Sequence, residues 1–132
     1  MREVANGAGA NGSGEDREFA ASFDSLLANV TENMHRKKLA PWELAETFYE
    51  IHVLYEQNNG TSGTKTVLAA KLGVSTSYYD QLIVVKHRLH PDIFARYKSH
   101  AQKMSIPVRR MADIARMPKD EQFAEWNKFI DE

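Results

Sequence analysis

Apolar residues recur along this chain at three- and four-residue spacing, and no useful length of it alternates apolar and polar positions as a half-buried strand would. Phe19, Phe23, Leu26, Leu27 and Val30 predict a short amphipathic helix, with Asp16 as its candidate cap. Leu44, Ala45, Phe48, Ile51, His52 and Tyr55 predict a longer one with Glu43, Glu46 and Glu50 on its other face. It runs from Pro41, whose ring suits a first helical turn, to about Gln57. Residues 58–63, NNGTSG, break the pattern, and Thr64 is placed to cap the next helix. Val67, Leu68, Ala69 and Leu72 mark that helix as a short one. Gly73 stands where a helix stops in a left-handed conformation, and Ser75 where a new one needs an N-cap. Beyond Leu89, the sequence His90-Pro91-Asp92 ends that helix and starts another with Ile93, Phe94 and Tyr97. Val108, Met111, Ala112, Ile114 and Ala115 come after a break at Pro107, and Phe123, Trp126, Phe129 and Ile130 after one at Pro118. The expected fold is all-α, a compact multi-helix domain of six or seven helices over 16–132. A Gly-, Ala-, Asn- and Ser-rich tail is expected over 1–15.

The most specific spacing lies at 64–89. Small Ala69 precedes Gly73 by four residues and lets two helices approach, and Leu82 comes nine after Gly73 on the inner face of the second. This is the helix-turn-helix pattern, in which the second helix enters the major groove of DNA.

Charge sharpens that expectation. The net charge of −1 argues weakly against nucleic acid, but the charge is unevenly spread. Residues 1–32 hold two cations against six acids, and 33–85 are balanced. Residues 86–116 hold eight cations against Asp92 and Asp113. The positive block starts inside the second helix of the pattern, as a surface for phosphate contacts would. A solvated helical surface is the plain alternative. No apolar run approaches the ~20 residues of a membrane helix, and no signal-peptide core is evident. The absence of cysteine excludes disulfides and thiolate metal sites. A cytoplasmic protein is the simplest expectation.

The outward positions of the second helix, counted from Gly73, are Ser75, Thr76, Ser77, Asp80, Gln81 and Val84. These are the expected base readers. The Gln81 amide can pair in bidentate fashion with adenine, and Thr76 and Ser77 can donate or accept at base or phosphate. Val84 or the Thr76 methyl can meet a thymine methyl. Asp80 can accept from cytosine N4, or else oppose the duplex by its charge. Expected backbone contacts are Lys65 and Thr66 at a helix N-terminus, then Lys86, Arg88, Arg109 and Arg110. Tyr78 can reach phosphate through its hydroxyl or pack on the first helix. Arg36 can contact phosphate or brace the protein internally, for example on a glutamate of the following helix. Nothing points to catalysis. His87 and His90 lack a third metal ligand, and the Gly60–Lys65 run, GTSGTK, lacks the strand that precedes a phosphate loop. No cofactor and no metal are expected.

The run Glu32-Asn33-x-x-Arg36-x-x-Leu39-x-Pro41-x-Glu43-x-Ala45 resembles the entry to the central DNA-binding domain of ParB-type partition proteins, the family that includes the KorB and Noc regulators. Leu68-Ala69-Ala70-Lys71-Leu72-Gly73-Val74-Ser75 and the exit Leu89-His90-Pro91 are similar to that family too, so the resemblance spans roughly residues 30–125. It implies binding of a centromere-like or operator site, for plasmid or chromosome segregation or for transcriptional repression. It also implies a homodimer on an inverted-repeat duplex, association with plasmid or nucleoid, and a partition ATPase or another protein as further partner. Thr76 departs from the basic residue that family members often place there, and Tyr79 from a β-branched one, so the bases read are expected to differ. The family's G-E-R-R-like nucleotide box is missing before Glu32, so CTP binding is not expected, and a separate C-terminal dimerisation domain is missing from these 132 residues. The chain is expected to be a piece of a longer protein or a minimal version. A helical protein-interaction module, an adaptor or inhibitor without DNA binding, is the competing expectation.

Overall fold

The structure, a computed structural model, describes residues 14–131, with side chains from Glu18 onward. These residues form seven helices and no strand, so the all-α expectation holds. The chain divides into two units between residues 38 and 39. The tail expected over 1–15 lies outside the described residues up to 13, as does the side chain of the candidate cap Asp16.

The first unit contains helix α1, Gly14–Lys37. It is longer than the short helix the apolar spacing predicts, because residues 31–37 hold no glycine or proline and add local support. Arg36 meets Glu32 one turn back at 3.2 Å, and its guanidinium also donates to the Asn33 side chain at 2.9 Å. Phe19 stacks on Phe23 along the apolar face, ring centroids 5.5 Å apart. Lys38 then takes a left-handed φ of 51°, and no helix crosses that residue.

The second unit runs through helices α2 (Pro41–Asn59), α3 (Thr64–Leu72), α4 (Thr76–Arg88), α5 (Pro91–Ala101), α6 (Val108–Ala115) and α7 (Lys119–Asp131). Each start has a local cause. Ala40 is extended, as a residue before proline must be, and the Glu43 carboxylate accepts its backbone N–H at 2.9 Å. Ser75 Oγ accepts the Tyr78 N–H at 3.0 Å, the N-cap expected for α4. His90 Nδ1 accepts the Asp92 N–H at 3.1 Å ahead of Pro91. One expected cap fails. Thr64 is the first residue of α3 rather than its cap, and Gly63, in the left-handed region at φ 74°, takes the cap position. The Thr64 hydroxyl is buried and has no hydrogen-bond partner among the described residues.

The turn between α3 and α4 is three residues long. Gly73 sits at φ 74°, its N–H bonding the Ala70 carbonyl at 3.2 Å while the Val74 N–H reaches the Ala69 carbonyl at 3.0 Å. That pair of bonds satisfies the last carbonyls of α3 and turns the chain sharply into α4.

Helix α4 is the centre of this unit, packed against α2, α3 and α6. Tyr79, Leu82 and Val85, three residues apart, are buried, and their removal from water supplies roughly 1.5–3 kcal/mol each. The three helices packed on α4 bury Phe48 and Ile51 (α2), Leu68 and Leu72 (α3), and Met111 and Ile114 (α6).

A polar residue closes the far end. Gln122 of α7 is wholly buried and uses both ends of its amide. Oε1 accepts the His90 N–H at 2.8 Å. Nε2 donates to the carbonyls of Arg88 at 3.0 Å, Ala115 at 3.2 Å and Met117 at 3.1 Å, so one of its two hydrogens is shared. Arg88 ends α4 and Ala115 ends α6, and one side chain therefore satisfies carbonyls that both helix ends leave open.

Candidate functional site

The surface of α4 that faces away from the core carries Thr76, Ser77, Asp80, Gln81, Val84 and Arg88. At 100° per residue, Ser77, Gln81, Val84 and Arg88 fall within a stripe about 60° wide, with Thr76 and Asp80 beside it. Thr76, Ser77 and Arg88 are exposed, and Asp80, Gln81 and Val84 are partly so. Ser75 is exposed but spends its Oγ on the cap. Every expected base reader therefore reaches the surface at or beyond the start of one helix.

Asp80 is already engaged. Its Oδ1 lies 3.3 Å from Lys65 Nζ, at the start of α3, and its Oδ2 lies 3.2 Å from an Arg116 nitrogen, just past α6. Arg116 also lies 3.6 Å from Asp113. The sequence placed Arg116 only within the positive block. No local signal relates it to a carboxylate 36 residues earlier. Thr66 is exposed beside Lys65, and no side chain caps the first turn of α3.

The remaining cations are scattered. Lys86 lies about 160° round α4 from Arg88 and Val84. Its amine turns to Glu46 of α2 at 3.7 Å and sits 4.5 Å over the Phe94 ring. Lys98 shares that same glutamate at 3.7 Å and covers Trp42. Arg110 stacks over Phe129 at 4.7 Å. Arg109 and Arg88 are exposed and make no ion pair among the described residues. Arg36 braces Glu32 of its own helix rather than a glutamate of the next one. Of the eight cations at 86–116, five are thus paired with acids or laid over rings, Arg96 lying over Phe123.

An aromatic and imidazole network fixes α4 on α2. Tyr79 is held at this interface, its ring 5.9 Å from Phe48 and its hydroxyl bonding His52 Nδ1 at 2.7 Å. His52 Nε2 lies 3.4 Å from Glu56. A carboxylate only accepts, so Nε2 carries the hydrogen and Nδ1 accepts from the Tyr79 hydroxyl. Burial, with a smaller contribution from the Glu56 charge, pushes the Tyr79 pKa well above its ordinary value. Burial also raises the Tyr78 pKa above its ordinary value. Tyr97 is pushed up to about 12, chiefly by burial and then by Tyr78, and its hydroxyl finds no hydrogen-bond partner among the described residues. His87 Nδ1 lies 3.0 Å from the Tyr49 hydroxyl, and His90 caps α5. Among the described residues no histidine–carboxylate group could hold a metal, and no helix is long and apolar enough to cross a membrane.

No family model, curated protein or solved structure matches this chain.

Proposed function

We propose that this chain binds double-stranded DNA sequence-specifically through α3 and α4, as the central domain of a ParB-type partition protein or a related repressor does. The observation that carries the reading is the Ser75-capped start of α4, which presents Thr76, Ser77, Gln81 and Val84 outward immediately after the Gly73 turn. Short polar side chains at the start of a helix, followed by an amide and a methyl one and two turns on, have the chemistry that reads base edges in a major groove. Arg88 extends the same stripe toward phosphate. Two protomers on an inverted repeat complete the reading, with a partition ATPase or another protein as further partner.

Selection of bound duplexes from a random pool, followed by gel shifts, tests it. A selected duplex binds better than random DNA at moderate salt. Replacing Gln81 with Ala changes preference at one base pair, by about 1–3 kcal/mol. A chain that enriches no sequence, or a Gln81→Ala variant with unchanged preference, counts against the reading.

The pairing of Lys86 and Lys98 with Glu46, and of Lys65 and Arg116 with Asp80, favours a second reading. In it the unit is a helical interaction module for a protein partner, and duplex DNA of any sequence is not its ligand.

A further inference from the structure

Asp80 stands on the outward surface of α4, one turn beyond Thr76 and one turn before Val84, where a bound duplex would lie. Its carboxylate joins a cation of α3 and one just past α6 to the middle of that surface, Lys65 at 3.3 Å and Arg116 at 3.2 Å. With Asp113 beside Arg116, the four charges cancel. A surface shaped only to grip phosphate would leave both cations unopposed.

We propose that Asp80 makes phosphate binding by this surface conditional. It withholds Lys65 and Arg116 from sequence-independent contacts and releases them only when a cognate duplex engages its own carboxylate. The proposal rests on the DNA-binding reading above and extends it from what is bound to how non-cognate binding is kept low. The three side chains are 36–51% exposed, so the clasp contributes little to folding and is open to exchange with a ligand. Beside a polyanion, Asp80 repels while it also occupies two cations, and both effects weaken contact with any duplex. Cytosine N4–H2 and adenine N6–H2 are the base donors in the major groove, and cytosine is the base for which a carboxylate is the usual partner, so it can take up Asp80 in place of those cations.

The test uses the full 132-residue chain and fluorescence anisotropy with a random-sequence duplex and a selected one, at several salt concentrations. Asp80→Asn keeps the side-chain shape and removes the charge, and Asp80→Ser serves as a second variant. Circular dichroism establishes that each is folded. Both variants bind the random duplex about tenfold more tightly, and the slope of log K against log salt steepens by about one to two. Their preference for the selected duplex falls. Adding Lys65→Ala and Arg116→Ala cancels the gain, whereas the same pair in the unchanged chain alters random-duplex affinity by less than about threefold. The proposal is overturned if neither Asp80 variant binds random DNA more tightly. It is also overturned if Lys65 and Arg116 matter as much with Asp80 present as without it. In both cases the DNA-binding reading stands, because the unchanged chain still binds its selected duplex. Absence of salt-dependent binding to every duplex by the unchanged chain removes that reading, and the proposal with it.

Discussion

Tyr79 is the residue at which local preference and tertiary need meet. Tyrosine is a middling helix former, but the space between α2 and α4 is filled by its ring against Phe48 and its hydroxyl on His52. Tyr79→Phe keeps the ring and strands the His52 nitrogen. The loss is about 1–2 kcal/mol. It is read in urea unfolding as a lower midpoint with an unchanged slope, and an unchanged midpoint would mean that the hydroxyl contributes nothing. Tyr97 is the opposite case, a buried hydroxyl with no partner among the described residues. Its folded pKa, about 12, lies above the usual value of 10.0. The unfolded chain therefore releases this proton first as pH rises, and the native state loses stability between about pH 10 and pH 12. Tyr97→Phe removes both the orphaned group and the titration. The variant is at least as stable as the parent at neutral pH, and its thermal midpoint declines less steeply above pH 10. A steeper or equal decline would assign the alkaline loss to other groups.

At the scale of elements, helix boundaries arise from signals that act within one turn, and those were legible. Pro41, Ser75, Pro91 and Pro107 each stand where the sequence places a helix start, and Gly73 ends α3 in the left-handed region. The apolar spacing of α6 gives its buried face directly, and that of α4 gives Leu82, beside which Tyr79 and Val85 are also buried. Thr64 misled because a threonine after a glycine is a good cap by type. The backbone at Gly63 nevertheless puts the glycine in the cap position and the threonine inside. The contacts that organise the outward surface were not legible, because Asp80, Lys65 and Arg116 meet only once three helices have packed. Gln122 falls between these cases. It precedes Trp126 by one turn and so shares its buried face, a pattern visible in the sequence, but the carbonyls it serves belong to α4 and α6. Gln122→Ala leaves two helix ends and the His90 N–H unpaired in a dry site. The expected loss is about 2–4 kcal/mol. Hydrogen exchange locates it, because protection falls first at the C-terminal turns of α4 and α6. A uniform loss across the unit would contradict the view that Gln122 acts at those ends.

For the whole molecule the deciding quantity is how many cations remain available to a ligand, not the net charge of −1. The block at 86–116 looks like a single positive surface in the sequence. In three dimensions Lys86 and Lys98 share Glu46, Arg96 covers Phe123, Arg110 covers Phe129, and Arg116 joins Asp80. Arg88, on the proposed reading stripe, Lys103 and Arg109 are exposed and without an ion pair among the described residues. Each phosphate neutralised contributes about 0.9 to the slope of log K against log salt. On a random duplex a protomer that grips phosphate with Arg88 and Arg109 gives a slope of about −2, and on an inverted repeat that also frees Lys65 and Arg116 two protomers give about −7. Arg88→Ala reduces that slope by about one per protomer and weakens selected and random duplexes alike. A protein-interaction module would instead show no salt-dependent affinity for either duplex. The same titration thus separates the two readings, and its slope reports how many protomers share a site. A slope near −10 would require most of the paired cations to leave their acids on binding. That outcome would transfer the ion pairs around Glu46 and Asp80 from the fold to the interface.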